Sequence, residues 1–320
     1  MISTALITGI SGQDGFYLAS ELVAAGWRVI GTTRGLESAA KSLGGLSTKV
    51  ELVEWDLVSS DRFVEILDKH RPNQIYNLAA LSSGEFMDSD PERLTDINGV
   101  AVLRMLTAIR DFGPTIRFCQ ASSSEVFAAS GVSQQDESTP LVPRNIYGAA
   151  KVFGDNVVRL YREKYGLFAC SAFLYNHESP RRGEGFVTQK VVRAAVRIKL
   201  NRQSKLLLGN LSAARDWGFA GDFARAMQLM LAYDTPTDYI VATGQTHTVK
   251  ELCDLVFGSL GLNYRDHIEV DVRHYRAEAP APIIGNAFRA RTVLNWTPRV
   301  SFREMIEMMI DQAMIQERSR

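Results

Sequence analysis

Short apolar runs alternate with longer amphipathic stretches through the first half of the chain. The runs are rich in β-branched residues and predict buried strands at 4–8, 28–32, 50–54, 74–78 and 116–121. Stretches with helical periodicity separate them at 13–25, 61–70 and 92–111. Apolar strands that alternate with helices are typical of a parallel sheet covered by helices on both faces. With right-handed crossovers, this order predicts a doubly wound α/β fold.

The pattern changes after a long predicted helix at 147–165 and a strand at 169–174. The polar segment 176–185 contains proline and glycine, which predicts a loop into a smaller, mostly helical C-terminal lobe. Further patterns predict helices at 186–199, 222–231, 249–260 and 302–316, and a strand at 239–241 that returns to the main sheet. We therefore expect one domain at 1–175 plus about 214–243, and a second lobe at about 176–213 plus 244–320.

Composition excludes several classes of protein. Among the 320 residues, 36 basic side chains balance 36 acidic ones, which argues against a nucleic-acid partner. No apolar run approaches the roughly 20 residues that span a bilayer, so no membrane partner is expected. Cys119, Cys170 and Cys253 have neither metal-ligand nor redox spacing, and the histidines form no metal-binding pattern. We therefore expect reduced thiols, a cytoplasmic location and no metal.

Gly9, Gly12 and Gly15 lie three residues apart between the first strand and the first helix. Glycine permits a tight turn and the close approach of a pyrophosphate, and a helix N-terminus offers free N–H groups to phosphates. A plain strand–helix turn would also explain the spacing, but at this junction of an alternating chain we predict a bound dinucleotide. Gln13 and Asp14 share the loop and are expected cofactor contacts. The doubly wound sheet is therefore predicted to be of the Rossmann type.

The residue after the second strand distinguishes NAD from NADP. An acid there holds the ribose 2′-hydroxyl, whereas an arginine holds a 2′-phosphate. Arg34 occupies this place and the first acid is Glu37, so we predict NADP. Asp56 and Leu57, after the third strand, are placed to meet the adenine. The residues that follow the fourth strand complete the expected cofactor contacts: Leu78, Ala79 and Ala80.

Four residues form the candidate catalytic group. Tyr147 and Lys151 are four residues apart, which puts both on one face of a helix. A nearby ammonium lowers the pKa of a phenol, so we predict that Tyr147 accepts a hydroxyl proton. Ser123 follows the fifth strand and is expected to share that proton. Glu125 is either a solvated side chain or a base that removes a carbon-bound proton and then protonates a leaving hydroxyl.

These motifs together resemble the extended short-chain dehydrogenase/reductase family and, within it, the GDP-mannose 4,6-dehydratase family. The resemblance extends from about residue 3 to residue 312. Its segments are TGISGQDG (8–15), YNLAA (76–80), QASSSEVF (120–127), YGAAK (147–151), NHESPRRGEGFVTQK (176–190), LGNLSAARDWG (208–218) and YIVATGQTH (239–247).

The resemblance implies a redox-neutral dehydration of a nucleotide sugar. In such a reaction Tyr147 takes the O4 proton while the C4 hydride passes to NADP⁺. Glu125 removes the acidified C5 proton and water leaves from C6. The hydride then returns to C6 and a proton to C5, which gives a 4-keto-6-deoxy sugar. His177 and Arg182 are then expected to contact the cofactor. The expected contacts of the nucleotide sugar, besides Ser123 and Glu125, are Ser82, Asn176, Val187, Lys190, Arg215 and Arg276.

The sequence departs from the family motifs at three places. Leu81 replaces a glutamine that lies near the sugar, Asn145 and Ile146 replace a Ser-Pro pair before the tyrosine, and Ala279 falls on a nucleotide-binding glutamate. The catalytic set is kept, so we expect the substrate to be GDP-mannose or a close relative.

Three other functions stay open for the sequence. A 4-keto-6-deoxy nucleotide-sugar reductase or a sugar 4-epimerase would not need Glu125 as a carbon-acid base. A non-catalytic NADP-binding regulator would predict damage to the Tyr147–Lys151 pair.

The family's arm after the second strand, used in tetramers, is short here (35–47), so we expect a homodimer, with a homotetramer as the alternative.

Overall fold

A seven-stranded parallel sheet forms the centre of the described chain. The computed structural model describes residues 2–82, 89–271 and 283–319. From one edge to the other, the strands are Tyr239–Val241, Ala169–Leu174, Arg117–Ala121, Gln74–Asn77, Thr4–Thr8, Arg28–Thr33 and Glu51–Glu54. The chain order therefore reverses between Thr4–Thr8 and Gln74–Asn77, which opens a crevice at the carboxyl ends of these strands. The Rossmann-type doubly wound fold is confirmed.

Helices cover both faces of the sheet. On one face Gln13–Ala24 packs against Ala220–Ala232, and on the other Ser60–His70 and Ile146–Tyr165 pack against Ala101–Phe112. Each face encloses its own apolar cluster, because strands buried on both sides carry apolar side chains in both directions. Further α-helices are Leu36–Leu43, Pro91–Thr95, Val187–Lys199, Val249–Ser259, Phe288–Val293 and Phe302–Arg318, and 3-10 helices lie at Gly44–Lys49, Ser124–Phe127 and Tyr264–Asp266.

Short strand pairs lie outside the main sheet. Asn176–Glu178 pairs in parallel with Trp217–Phe219, and Ala214–Arg215 pairs antiparallel to His247–Thr248. The remaining pairs are Leu206–Leu208 with Ile268–Val270 and Gln134–Gln135 with Ile284–Gly285. The prediction of a continuous loop at 176–185 is therefore wrong at its start, where backbone pairing with a distant segment makes a strand.

The predicted helix at 92–111 is also interrupted. It consists of Pro91–Thr95, a π-helical turn at Asp96–Val100 and Ala101–Phe112. Within that turn, the Asn98 amide accepts a hydrogen bond from Leu81 N at 3.0 Å and donates one to Leu81 O at 2.9 Å. The wide turn thus ties the segment after the fourth sheet strand to the helix that crosses it.

The helices of the smaller lobe form a third apolar cluster. Val187–Lys199, Val249–Ser259 and Phe302–Arg318 pack together, and Met305 and Met309 are fully buried between them. Segment 283–296, which the sequence assigns to this lobe, places Trp296 in the cluster of the main sheet. The domain boundaries stay a prediction. Among the described residues, no helix is both long and apolar enough to cross a bilayer.

Candidate active site

The backbone of the glycine loop leaves no room for a Cβ atom at Gly9 or Gly15, while the N-terminus of the following helix has no side chain covering it. Gly9 has φ +68°, and a Cβ there would lie 2.9 Å from Ala79 Cα. A Cβ on Gly15 would lie 2.5 Å from the Gly9 carbonyl oxygen. Gly12 precedes helix Gln13–Ala24 as its N-cap and has no side chain to cover the first N–H groups. The loop therefore fits a pyrophosphate at this helix N-terminus.

A network of buried, hydrogen-bonded polar side chains connects the carboxyl ends of three sheet strands. The sequence patterns did not predict this network. Thr8 Oγ1 donates to Asn77 Oδ1 at 2.6 Å and accepts from the backbone N–H groups of Leu78 and Ala79, each at 3.0 Å. Asn77 Nδ2 donates to Gln120 Oε1 at 2.7 Å. The network holds the predicted cofactor contacts Leu78 and Ala79, and the adjacent Ala80, against the glycine loop.

Gln13 and Asp14 are bound to the strand Asn176–Glu178. The Gln13 amide donates to the His177 carbonyl oxygen at 3.0 Å and accepts from Ser179 Oγ at 2.7 Å. Asp14 Oδ2 lies 3.0 Å from His177 Nε2. Burial opposes both charges, but their attraction wins: the pKa of Asp14 lies below its usual value and that of His177 above. The two side chains thus lock the glycine loop to the segment that leaves the sheet.

The ends of the second and third sheet strands lie on the open side of this crevice. Arg34 is exposed one residue beyond Arg28–Thr33, and Gly35 separates it from helix Leu36–Leu43. Asp56 is partly exposed and lies 3.7 Å from Arg93, while Leu57 is buried. Their roles toward the cofactor stay predictions.

Tyr147 lies in the first turn of the long helix Ile146–Tyr165, and its ring is 9% exposed. Burial raises the pKa of Tyr147 to about 12, although a hydrogen bond with Ser123 opposes this shift. The Lys151 ammonium lies 5.8 Å from the centre of the Tyr147 ring and donates to the Ala121 carbonyl oxygen at 2.8 Å. The net shift of the Tyr147 pKa is therefore upward, opposite to the lowering that the Tyr147–Lys151 spacing predicts, because burial outweighs the charges that favour the phenolate.

Asp155 lies one helical turn beyond Lys151 and is the second feature that sequence analysis missed. Its two carboxyl oxygens accept hydrogen bonds from Ser122 Oγ at 2.6 Å and Ser171 Oγ at 2.7 Å. Burial raises the pKa of Asp155 and lowers that of Lys151, and the opposite charges counteract both shifts. The carboxyl group thus offsets part of the cost of burying the ammonium beneath Tyr147.

Glu125 lies next to Ser123, and its charge is close enough to Tyr147 to raise the pKa of the phenol. Ser123 Oγ accepts a hydrogen bond from Glu125 N at 3.2 Å, and the Glu125 side chain is 28% exposed. Its carboxylate accepts a hydrogen bond from Asn145 Nδ2 at 2.9 Å and lies 3.7 Å from Arg144. The structure therefore brings together the four residues predicted to act in catalysis.

The residues expected at the nucleotide sugar lie on several elements that follow the sheet strand Ala169–Leu174. Asn176 begins its short strand, Val187 begins helix Val187–Lys199, and Lys190 is exposed on that helix. Arg215 ends the strand Ala214–Arg215 and donates to the Ala214 carbonyl oxygen at 2.7 Å. Their contacts with a substrate stay predictions.

Arg182 is the other cation predicted in this region. It forms an ion pair with buried Glu178 at 3.0 Å, and its guanidinium lies 3.4 Å from the centre of the Phe186 ring. Arg276 and Ala279 lie outside the described residues. Ser82 is exposed, whereas Leu81 is buried in the same apolar cluster as Tyr147.

Solved structures share the fold. The dTDP-glucose 4,6-dehydratase of Bacillus anthracis, in complex with NAD, has a TM-score of 0.86 at 18% identity, covering 99% of this chain and 98% of that one. RMD from Pseudomonas aeruginosa, complexed with NADPH, has a TM-score of 0.83 at 21% identity, covering 98% and 99%. At such identities the likeness establishes the architecture alone.

Comparison with sequence relatives identifies the family more closely than the fold does. GDP-mannose 4,6 dehydratase 1 of Arabidopsis thaliana is 42% identical, over 96% of this chain and 89% of that protein. GDP-mannose 4,6 dehydratase of Homo sapiens is 37% identical, over 96% and 90%. The family model of GDP-mannose 4,6 dehydratase matches residues 6–309. By this match over nearly its whole length, the chain belongs to the GDP-mannose 4,6-dehydratase family of hydro-lyases.

Proposed function

We propose that this protein converts GDP-mannose, or a close relative, to the GDP-4-keto-6-deoxy sugar. The observation that carries the proposal is the position of Glu125, whose backbone N–H donates to Ser123 Oγ and whose partly exposed carboxylate is close enough to Tyr147 for its charge to raise the pKa of the phenol. Oxidation or reduction of an alcohol alone needs no carboxylate there. Removal of a carbon-bound proton followed by loss of water needs one, because a group must take the first proton and deliver another to the leaving hydroxyl.

A nicotinamide dinucleotide fits the residues of the glycine loop. The cradle formed by Gly9, Gly12 and Gly15 accepts backbone-close phosphates, and the helix N-terminus favours their charge. When bound there, an oxidised nicotinamide would supply a reversible hydride acceptor for the sugar and a positive charge that would favour ionisation of a neighbouring phenol.

Side chains of the protein carry out the proton transfers. Tyr147 accepts the O4 proton, and Ser123 relays it through the hydrogen bond between the two side chains. The new C4 carbonyl makes the C5 proton acidic, and Glu125 removes it. The electron pair left on C5 forms the C5–C6 double bond as the C6 hydroxyl departs with the proton from Glu125. When a hydride adds to C6, a proton that balances the one taken from O4 returns to C5 and completes the 4-keto-6-deoxy sugar. Lys151 keeps a positive charge next to the phenol, fixed by the Ala121 carbonyl oxygen.

Deuterium at C4 of GDP-mannose tests the reaction directly. We expect a product that has lost one water and carries the deuterium at C6, as read by mass spectrometry and NMR. Net consumption of reduced cofactor with a GDP-4-keto-6-deoxy sugar, and no turnover of GDP-mannose, would instead identify a reductase. Isomerisation at C4 without loss of water would identify an epimerase.

We propose NADP as the cofactor. Support comes from Arg34, which is exposed at the end of the second sheet strand where a 2′-phosphate would lie. Among the structural neighbours, RMD from Pseudomonas aeruginosa is complexed with NADPH, whereas the Bacillus anthracis dehydratase is in complex with NAD.

We also propose that the protein forms a homodimer through helix Ile146–Tyr165. Ile146, Phe153 and Leu160 recur every seven residues along it and are 47%, 42% and 49% exposed. Such a stripe on one helix face favours burial against another protein surface. Pairing with the same helix of a second subunit, related by twofold symmetry, would bury the stripes of both subunits.

Light scattering tests the dimer. Leu160→Glu places a charge in the stripe and should yield monomers, whereas Ile315→Glu on the last helix, 63% exposed, should leave the dimer intact. A monomeric wild-type protein would contradict the proposal.

The predicted cytoplasmic location is supported by the three free, buried cysteines, and cell fractionation tests it.

A further inference from the structure

Asn145 connects the two halves of the catalytic group. It precedes helix Ile146–Tyr165, and its Oδ1 accepts a hydrogen bond from Gly148 N at 2.8 Å, so it caps the helix that carries Tyr147 and Lys151. Its Nδ2 donates to Glu125 Oε2 at 2.9 Å. One side-chain amide thus contacts both the tyrosine–lysine helix and the predicted base.

The backbone of Glu125 is packed against the same helix turn. A Cβ on Gly148 would lie 2.8 Å from the Glu125 carbonyl oxygen, so only glycine permits this approach. The Glu125 N–H group donates to Ser123 Oγ. The main chain of Glu125 is therefore fixed on both sides, and the side chain is the part left to be oriented.

The two carboxyl oxygens of Glu125 have different surroundings. Oε2 accepts the Asn145 hydrogen bond, whereas Oε1 lies 3.7 Å from the Arg144 guanidinium, beyond hydrogen-bond distance. A proton acquired by the carboxyl group is disfavoured on Oε2, which faces a donor, and favoured on Oε1. The Asn145 amide therefore selects the oxygen that carries the proton.

We propose that Asn145 is a positioning residue for water loss, which holds Glu125 with Oε1 as its proton-transferring oxygen and in a constant place relative to Tyr147. This inference rests on the proposed dehydratase function. Asn145 stands where the family motif has a serine, whose shorter side chain has the capping oxygen but no amide to reach the carboxylate. The role therefore belongs to this chain's own sequence.

Asn145→Asp separates the two contacts of the side chain. Aspartate keeps the capping oxygen, so the helix should stay intact and the thermal unfolding midpoint should change little. It removes the donor and presents a second carboxylate to Glu125. We expect the loss of water to slow by about tenfold or more, because small misplacement of a reacting group has effects of this order. Oxidation at C4 should proceed at the wild-type rate.

Rapid quenching with mass spectrometry provides the readout. A 4-keto sugar that has kept its C6 oxygen should accumulate in Asn145→Asp and, to a smaller extent, in Asn145→Ser, which loses the donor without adding a charge. Asn263→Asp is the matched control, because Asn263 also caps a helical turn, at Arg265 N, and is exposed in the smaller lobe. It should behave as the wild type.

Two results would overturn the inference while leaving the dehydratase function in place. One is equal slowing of C4 oxidation and water loss together with a lowered unfolding midpoint, which would make Asn145 a helix cap only. The other is wild-type kinetics in Asn145→Asp. If the wild-type protein forms no keto-deoxy sugar from any GDP-hexose tested, the proposed function itself fails, and the inference with it.

Discussion

Glu125→Gln should lower the rate of keto-deoxy sugar formation by about a thousandfold, within the range expected when a general acid–base group is removed. Glutamine keeps the size of the side chain and accepts the Asn145 hydrogen bond through its own oxygen, so the local packing should persist. It has no oxygen basic enough to take the C5 proton and no acidic proton for the leaving hydroxyl. The reaction should therefore stop at the 4-keto sugar that still carries its C6 oxygen.

The measurement has two parts. Mass spectrometry of quenched mixtures counts the dehydrated and the non-dehydrated keto sugar, and calorimetric titration measures cofactor binding, which should remain nearly unchanged. Glu163→Gln is the matched control, because Glu163 is exposed near the far end of the same helix that carries Tyr147 and pairs with Arg159 at 3.2 Å. Wild-type rates of water loss in Glu125→Gln would refute its assignment as the base.

Arg34→Ala should weaken the binding of NADP by about a hundredfold and leave that of NAD nearly unchanged. A charge-assisted hydrogen bond to a phosphate contributes about 1.5–3 kcal/mol, which corresponds to a factor of about ten to more than a hundred in affinity. Arg34 is exposed, so its removal should not disturb the core. NAD lacks the 2′-phosphate, so its affinity should not change when Arg34 is removed.

Titration calorimetry with both dinucleotides measures the difference. Arg62→Ala is a suitable control, because Arg62 is an exposed arginine that pairs with Glu65 within helix Ser60–His70. Equal weakening of NAD and NADP by Arg34→Ala would show that Arg34 acts on a part common to both, and the proposal of NADP specificity would fail.

The order of strands and helices could be predicted because it depends on local periodicity. The sheet strands begin and end within a residue of the apolar runs, since a strand buried on both faces needs continuous apolar residues. The π-helical turn at Asp96–Val100 and the strand Asn176–Glu178 could not be predicted in this way. Each depends on partners far along the chain: Leu81 and Ala150 for the turn, and Trp217 for the strand.

The candidate catalytic group was predictable for a related reason. Ser123 and Glu125 follow a parallel strand, and Tyr147 and Lys151 share one face of the next helix, so the topology alone brings them to one edge of the sheet. The sequence by itself thus determined which side chains meet in this crevice and which fold holds them there.

Only the tertiary structure decided how these side chains are held and charged. Burial raises the pKa of Tyr147, although a local Tyr–Lys pattern predicts the opposite shift. Asp155 reaches Ser171, and Asn145 reaches Glu125 across twenty positions of the chain. Periodicity reports which face of an element is buried, whereas hydrogen bonds and desolvation depend on which distant residues share that burial, and this is determined when the elements pack.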